Sequence, residues 1–390
     1  MVATYRLGIS IRKVARTFGV DPSTVLFWTR RAEGQRLDRA DWANRARGPR
    51  TPANRCSREL EDRVLALRVQ LKERSDLGEF GAEAIHRALH AQGVDTLPSV
   101  RTIGRILERR GALDGRRRTR RAAPPPGWYL PDLAAGHAEL DSFDIIEGLV
   151  IKGGPDVEVL TGISLHGGLV AAWPRAAITA TLTVDTLVAH WRQVGVPAYT
   201  QFDNDTRFQG AHWSPDTLGQ VTRICLSLGV VPVFVPPREA GFQAAIENFN
   251  GRWQAKVWTR FHHDSLEALQ VQSAKFIAAS HRRAAPRIDS APARRPFPAE
   301  WAFDPQARPQ GRIVFLRRTS DQGAATLLGR TFALDPNWPH RLVRAEVDLD
   351  AHVIRFYALR RREPTWQPLL REIRHELPHR RFRQRSNRVG

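Results

Sequence analysis

Ala138-Glu139-Leu140-Asp141-Ser142-Phe143-Asp144-Ile145-Ile146-Glu147-Gly148-Leu149 reads as a strand with carboxylates inside an apolar run. Charge buried in a strand is costly unless it is paired or bound to metal, so this stretch marks a site as well as a fold. Working outward, Val157 to Leu165 and Leu169 to Trp173 predict two more strands. Gly153-Gly154-Pro155 is a hairpin turn; it lacks the Lys-Ser/Thr of a phosphate loop. Thr183 to Val194 predicts an amphipathic helix, Ala198 to Asp203 a strand, Asp216 to Leu228 a helix, Val230 to Val235 a buried strand, and Gly241 to Phe261 a long helix. Three strands followed by alternating helix and strand describe a mixed α/β sheet covered by helices.

Acids recur at the edges of this unit. Asp203 ends the fourth strand in Phe202-Asp203-Asn204-Asp205, and Glu247 lies on the long helix within Gln243-Ala244-Ala245-Ile246-Glu247-Asn248-Phe249-Asn250. Strand ends beside a helix can bring such groups to one point of an open α/β sheet. Three converging carboxylates suit hard divalent cations, and two ions about 4 Å apart can serve both sides of a phosphodiester. Asp203 could instead close a turn, and Glu247 could be a solvated helix residue. Glu239, in the preceding loop, is less well fixed. Asp144 competes with Asp141, but residues three apart on a strand face opposite ways, so one of them reaches the site.

The order Asp141, Asp203-Asn204 and Glu247 in a Gln-x-x-Ile-Glu-x-Phe-Asn helix resembles the DDE transposases of bacterial insertion sequences and the related retroviral integrase catalytic core. The resemblance covers roughly Ala138 to Phe261. It implies an RNase H-like α/β core with Asp141, Asp203 and Glu247 as catalytic residues and metal ligands, binding Mg2+ or Mn2+, two ions in all. It implies cleavage at element ends and joining to target DNA, with N-terminal helix-turn-helix units and a small C-terminal β-barrel. Two features depart from the family. Asp205 stands where Gly is usual, adding charge on the face of Asp203. Asp203 and Glu247 are also farther apart than is usual, an excess that falls in the loop Gln209 to Leu218.

Upstream, Ser10 and Asp21-Pro22 are helix starts and Gly19 a left-handed stop, so Ser10 to Arg31 reads as helix-turn-helix, with Ala15, Gly19 and Val25 packing and Arg30 and Arg31 outward. A second such unit carries Leu60, Val64, Leu67 and Leu71, then Ala84, Ile85 and Leu89, then a helix from Ser99 with Arg101, Arg105, Arg109 and Arg110 outward. Arg116 to Gly127, with three consecutive prolines, is an extended basic linker. Downstream, Arg312 to Arg317, Leu327 to Leu334, Leu342 to Leu349 and Val353 to Leu359 are short strands that suggest a small barrel. The expected domains are 1–50 and 51–115 (helix-turn-helix units), 116–136 (linker), 137–283 (catalytic core), 284–309 (linker), 310–362 (barrel) and 363–390 (basic tail).

The chain of 390 residues has a formal charge of +20, with the cations mostly Arg, which favours double-stranded DNA as partner. Joining two ends implies a homo-oligomer on DNA. Cys56 and Cys225 support neither a disulfide framework nor a Cys-based zinc site, and His86 and His90 lack companion ligands. No apolar run reaches membrane-spanning length and no signal peptide is evident, so a cytoplasmic, DNA-associated protein is expected. Two other readings share these features: a catalytically inactive, transposase-derived DNA-binding regulator, and a metal-dependent nuclease that does not join.

Overall fold

Val14, Ala15 and Val25 are almost fully buried and form the centre of a small N-terminal unit. The computed structural model of the protein describes residues 1–43, 56–94, 96–113, 125–210, 214–239 and 241–378. It divides into two units, Met1–Asp62 and Arg63–Gly390. In the first, α1 (Val2–Arg6) precedes α2 (Ile11–Phe18) and α3 (Pro22–Arg31). Gly19 ends α2 in the left-handed region at φ 61°, where a side chain would be strained. The Asp21 side chain accepts from the Ser23 amide and caps α3 behind Pro22, whereas the Ser10 side chain makes no capping bond.

Three helices follow: α4 (Arg58–Arg74), α5 (Ala82–Ala91) and α6 (Val100–Arg109). Ile85, Leu89, Ile103, Ile106 and Leu107 are buried, and the Ser99 side chain caps α6 through the Thr102 amide. Arg68 ties the group together by donating to the carbonyls of Phe80 and Ala112. Residues 44–55 and 114–124 lie outside the described set, as do 211–213 of the Gln209 to Leu218 loop, so the linker expected over 116–136 is seen only from 125. There it is corrected, because Trp128, Tyr129, Leu130 and Leu133 are buried in an apolar cluster against the sheet. After α7 (Pro131–Ala134) the sheet begins.

Phe143 and Ile145 turn to one face of β1 (Leu140–Val150) and Ser142, Asp144 and Ile146 to the other, so both faces need cover. β2 (Asp156–Ser164) and β3 (Val170–Arg175) extend the sheet antiparallel on one side. On the other, β4 (Tyr199–Phe202), β5 (Val231–Phe234) and β6 (Arg312–Arg318) run parallel. α8 (Ala180–Val194), the short α9 (Thr206–Gln209) and α10 (Gln220–Ser227) lie in the crossovers, and Trp191, Val221 and Ile224 bury against Phe143 and Phe202. α11 (Ala244–Trp253) covers the opposite face with Ile246, Phe249 and Trp253 against Ile146, Val159 and Ile163. A π turn, Gln254–Trp258, and α12 (Leu266–Asp289) follow. This arrangement of helices on a large mixed sheet is compatible with an RNase H-like α/β core.

The C-terminal strands correct the expected barrel. β7 (Ala324–Leu327) and β8 (Arg330–Ala333) form a separate hairpin. β9 (Leu342–Asp348), β10 (Val353–Leu359) and β11 (Leu369–Arg374) instead join β6, giving one nine-stranded sheet in the order β11-β10-β9-β6-β5-β4-β1-β2-β3, and no barrel closes among the described residues. The reason is packing. Phe315 of β6 stacks on Phe234 of β5 with centroids 5.2 Å apart, and Ala345, Val347, Ile354 and Phe356 enter the same core as Trp191 and Phe202. Strand alternation specifies a half-buried strand; it does not specify which sheet receives it.

Two further expectations change. α12 runs to Asp289, through Pro286, into the span expected as a linker from 284. Leu369–Arg374, expected within a basic tail, is the edge strand β11, while residues 379–390 lie outside the described set. No helix among the described residues is long and apolar enough to cross a membrane.

Candidate carboxylate site

Asp141 and Asp144 diverge across β1. Asp141 is 2% exposed, and its carboxylate receives Arg294 through both Nη atoms, at 3.0 and 2.5 Å, and Trp191 Nε1 at 3.1 Å. The Arg294 side chain is itself only 14% exposed. Burial alone would lower the affinity of Arg294 for its proton, but the charge and hydrogen bonds of Asp141 more than offset that. This is a closed, internally neutral pair on the α8 face, with no carboxylate oxygen left unengaged. The residue expected as the first metal ligand is thus held away from the other two acids.

Asp144 faces the α11 side. β1 and β4 pair parallel with Asp141 opposite Thr200 and Ser142 opposite Gln201. The same offset carried along β1 sets Asp144 beside Asp203, where β4 ends. Asp144 Oδ1 accepts from the Ile145 amide at 2.9 Å and Oδ2 from Asn250 Nδ2 at 2.8 Å. Burial, reinforced by the charges of Asp203 and Glu247, pushes its carboxyl up to about 6 against those two hydrogen bonds. Burial also raises the Asp203 carboxyl; the Asp205 amide, donating at 2.9 Å, opposes this, and the Asp205 charge adds to it. Asp144, Asp203 and Glu247 therefore share one electrostatic neighbourhood, and Asp141 is outside it.

Asn250 is the residue that sequence reading missed. It lies one turn beyond Glu247 on the stripe Ile246, Phe249 and Trp253, so a polar group there enters an apolar layer and needs partners. It is 9% exposed, donates to Asp144 and accepts from Thr161 Oγ1 at 2.8 Å. A polar residue interrupting that stripe was the available signal. Arg294 had none, because 153 positions separate it from Asp141.

Asp205, expected to add charge beside the site, also caps α9 through the Arg207 amide and binds the Arg207 guanidinium at 2.6 Å. Arg207 reaches Glu147 at 2.5 Å as well, so a cation is placed among these acids.

The donor set matches hard divalent ions, which take carboxylate oxygens. Among the described residues, no three His, Cys, Asp or Glu side chains lie close enough together to hold one ion. Glu247 is exposed in the first turn of α11. His86 and His90 gain no companion ligand.

The expected DNA contacts separate by placement. Arg30, Arg101, Arg105, Arg109 and Arg110 are exposed. Arg101 and Arg105 lie one turn apart on α6. Arg31, expected outward, is turned inward: its side chain is 9% exposed, bonds Asp41 at 2.6 Å and lies over Trp28 at 5.2 Å from the ring centre.

No family model matches the chain. Among solved structures, the chain is similar to the HTLV-2 integrase catalytic core domain in complex with magnesium, at 13% identity and TM-score 0.26, covering 40% of this chain and 87% of that one. It is similar to the simian T-cell lymphotropic virus intasome in complex with the PP2A regulatory subunit B56 gamma, at 15% identity and TM-score 0.32, covering 68% and 84%. It is also similar to the catalytic core domain of BIV integrase, at 16% identity and TM-score 0.26, covering 37% and 82%. These likenesses are weak, and the functional reading rests on the site's own geometry.

Proposed function

We propose that the chain is a DNA strand-cleaving and strand-joining enzyme of the transposase and integrase kind, with Asp144, Asp203 and Glu247 as its carboxylates and Asp141 in a structural role. The observation that carries this reading is the placement of Asp144: it is half-buried on the face covered by α11, beside the end of β4 that carries Asp203, and Asn250 of α11 donates to its carboxylate. Asp144 and Asp203 are neighbouring acids on β1 and at the end of β4, and a bound cation relieves repulsion of that kind. Divalent ions, Mg2+ or Mn2+, would supply activation of the attacking oxygen and stabilisation of the leaving one.

The chain's own groups fix the donors. Asn250 and the Ile145 amide hold the two oxygens of Asp144, and the Asp205 amide holds one oxygen of Asp203. The net charge of +20 draws duplex DNA toward the protein, and Arg30, Arg101, Arg105, Arg109 and Arg110 are assigned phosphate contacts in recognition of element ends. Arg31, held by Asp41, orients its helix rather than touching DNA. Joining two ends calls for at least two copies of the chain.

A strand-transfer assay with Mg2+ or Mn2+ on duplexes carrying candidate ends tests this. Asp144→Asn, Asp203→Asn and Glu247→Gln should each abolish joining while DNA binding persists. Joining that survives Asp144→Asn but not Asp141→Asn at equal folded concentration returns the role to Asp141. Binding without cleavage at every end tried favours the inactive regulator, and cleavage without joining favours the nuclease.

A further inference from the structure

One residue beyond Asp203, a cleft of about 710 Å³ opens between the Asn204–Gln209 segment, the loop after β5 and the β6–β8 region. That volume falls within the roughly 300–1,000 Å³ of small-molecule sites. Three features of its lining are unusual. Arg317 is only 7% exposed, and among the described residues no carboxylate pairs with it. Its guanidinium donates to the carbonyls of Thr326, Val235 and Leu316 and to Asn204 Oδ1 at 2.9 Å, so its hydrogen bonds are met, while its charge faces, among the described residues, only the Phe315 ring, 5.0 Å from the ring centre, and no anion. Burial accordingly pushes it down to about 10. Gln209 is 9% exposed, and its Oε1, closed off from solvent in the resting structure, has no hydrogen-bond partner. Arg238, exposed at the rim, is held in the left-handed region at φ 58°, a conformation that costs a non-glycine residue energy.

A simple anion would answer Arg317 and leave the Gln209 acceptor empty; an apolar ligand would answer neither. The lining calls for a molecule with negative charge, an N–H donor and an apolar body to lie against Leu327 and Leu328. A nucleotide has all three, and every DNA base carries an N–H donor on its pairing edge. We propose that this cleft receives one unpaired nucleotide, with its phosphate toward Arg238 in the field of Arg317 and its base donating to Gln209 Oε1 after the Gln209 side chain turns toward the cleft. The source is taken to be the DNA substrate, which rests on the strand-transfer reading; an enzyme working on a duplex end can hold a strand open by lodging a base outside the stack.

The test uses the full chain and two variants, Gln209→Leu and Arg238→Ala. Calorimetric titration with deoxyadenosine 5′-monophosphate should show binding about tenfold tighter than with deoxyadenosine or inorganic phosphate, and each variant should weaken it about tenfold. Gln209→Leu removes an unmet acceptor, so its thermal midpoint should not fall, which separates lost binding from lost folding. A duplex with an unpaired 2-aminopurine in a 5′ overhang should change fluorescence on binding the native chain, and the change should vanish in Gln209→Leu. Absence of monophosphate binding, or binding indifferent to both variants, overturns the site. Monophosphate binding with a 2-aminopurine response unaltered by Gln209→Leu overturns the DNA source in favour of a free nucleotide. Failure of joining by the native chain, with monophosphate binding intact, sinks the strand-transfer reading and leaves the cleft standing.

Discussion

Asp144→Asn should make the protein more stable at neutral pH while abolishing its proposed chemistry. The native carboxyl titrates at about 6 against an ordinary value of 3.8. A difference of that size corresponds to ~3 kcal/mol by which the folded state disfavours the ionised form. Below about pH 4 both states hold the proton and nothing is lost. Between about pH 4 and 6 the unfolded chain releases it first, so stability falls as pH rises, and above about pH 6 the loss is complete. Asn is neutral throughout and keeps one acceptor oxygen, but it surrenders one of the two hydrogen bonds, worth about 1 kcal/mol. The net gain should be about 1–2 kcal/mol at pH 7.5, changing to a small loss at pH 4. Urea unfolding followed by tryptophan fluorescence, with EDTA present to keep carboxylates free of metal, reads the difference at each pH. A difference between native and variant that is the same at both pH values would refute the reasoning, because the effect would then owe nothing to ionisation.

Asp141→Asn should do the reverse, costing about 3–5 kcal/mol because it strands Arg294 as a buried unpaired cation, while joining per folded molecule is retained; denaturant midpoints and activity at low temperature measure the two separately. Binding to duplex DNA should weaken steeply with salt, and the double variant Arg101→Ala, Arg105→Ala should lower the magnitude of the log–log slope by about 2. An unchanged slope in a titration from low to moderate salt would place α6 away from the phosphates.

Most of the strand and helix order of the core was legible because the elements satisfy local rules, such as apolar alternation in β1 and β2 and the helical stripe of α11; the Asp21-Pro22 start of α3 did the same for the N-terminal unit. What was not legible depended on partners far along the chain. Asp141 and Asp144 are equivalent in a strand pattern except for the face each takes, and their partners, Arg294 and Trp191 for the first and Asn250 for the second, all lie far along the chain. The motif pointed to Asp141; the partners place it in a buried ion pair. In the same way β9 and β10 announce themselves as strands, but that they lengthen the core sheet depends on β6 pairing with β9 and on Phe315 packing against Phe234, contacts that the strand pattern does not contain. No helix was expected over α12, and the end of the core was placed too early because Pro286 and the Arg-rich run around it look like a break, although a proline in the last turn interrupts little.

The π turn after α11 has a consequence of its own. Lys256 lies within it and Arg260 just beyond; the first donates to the Gly78 carbonyl and the second to the carbonyls of Lys72, Glu73 and Ser75, at the close of α4. A π turn holds one residue more than an α-helix of the same length, and one residue is about 100° of rotation. That extra residue swings the far end of the helix by about a quarter turn, so a single rod presents Glu247 and Asn250 to the sheet and a basic grip to α4. The helix is thus shaped like a crankshaft with two offset throws, one carrying Glu247 and Asn250 and the other Lys256 and Arg260.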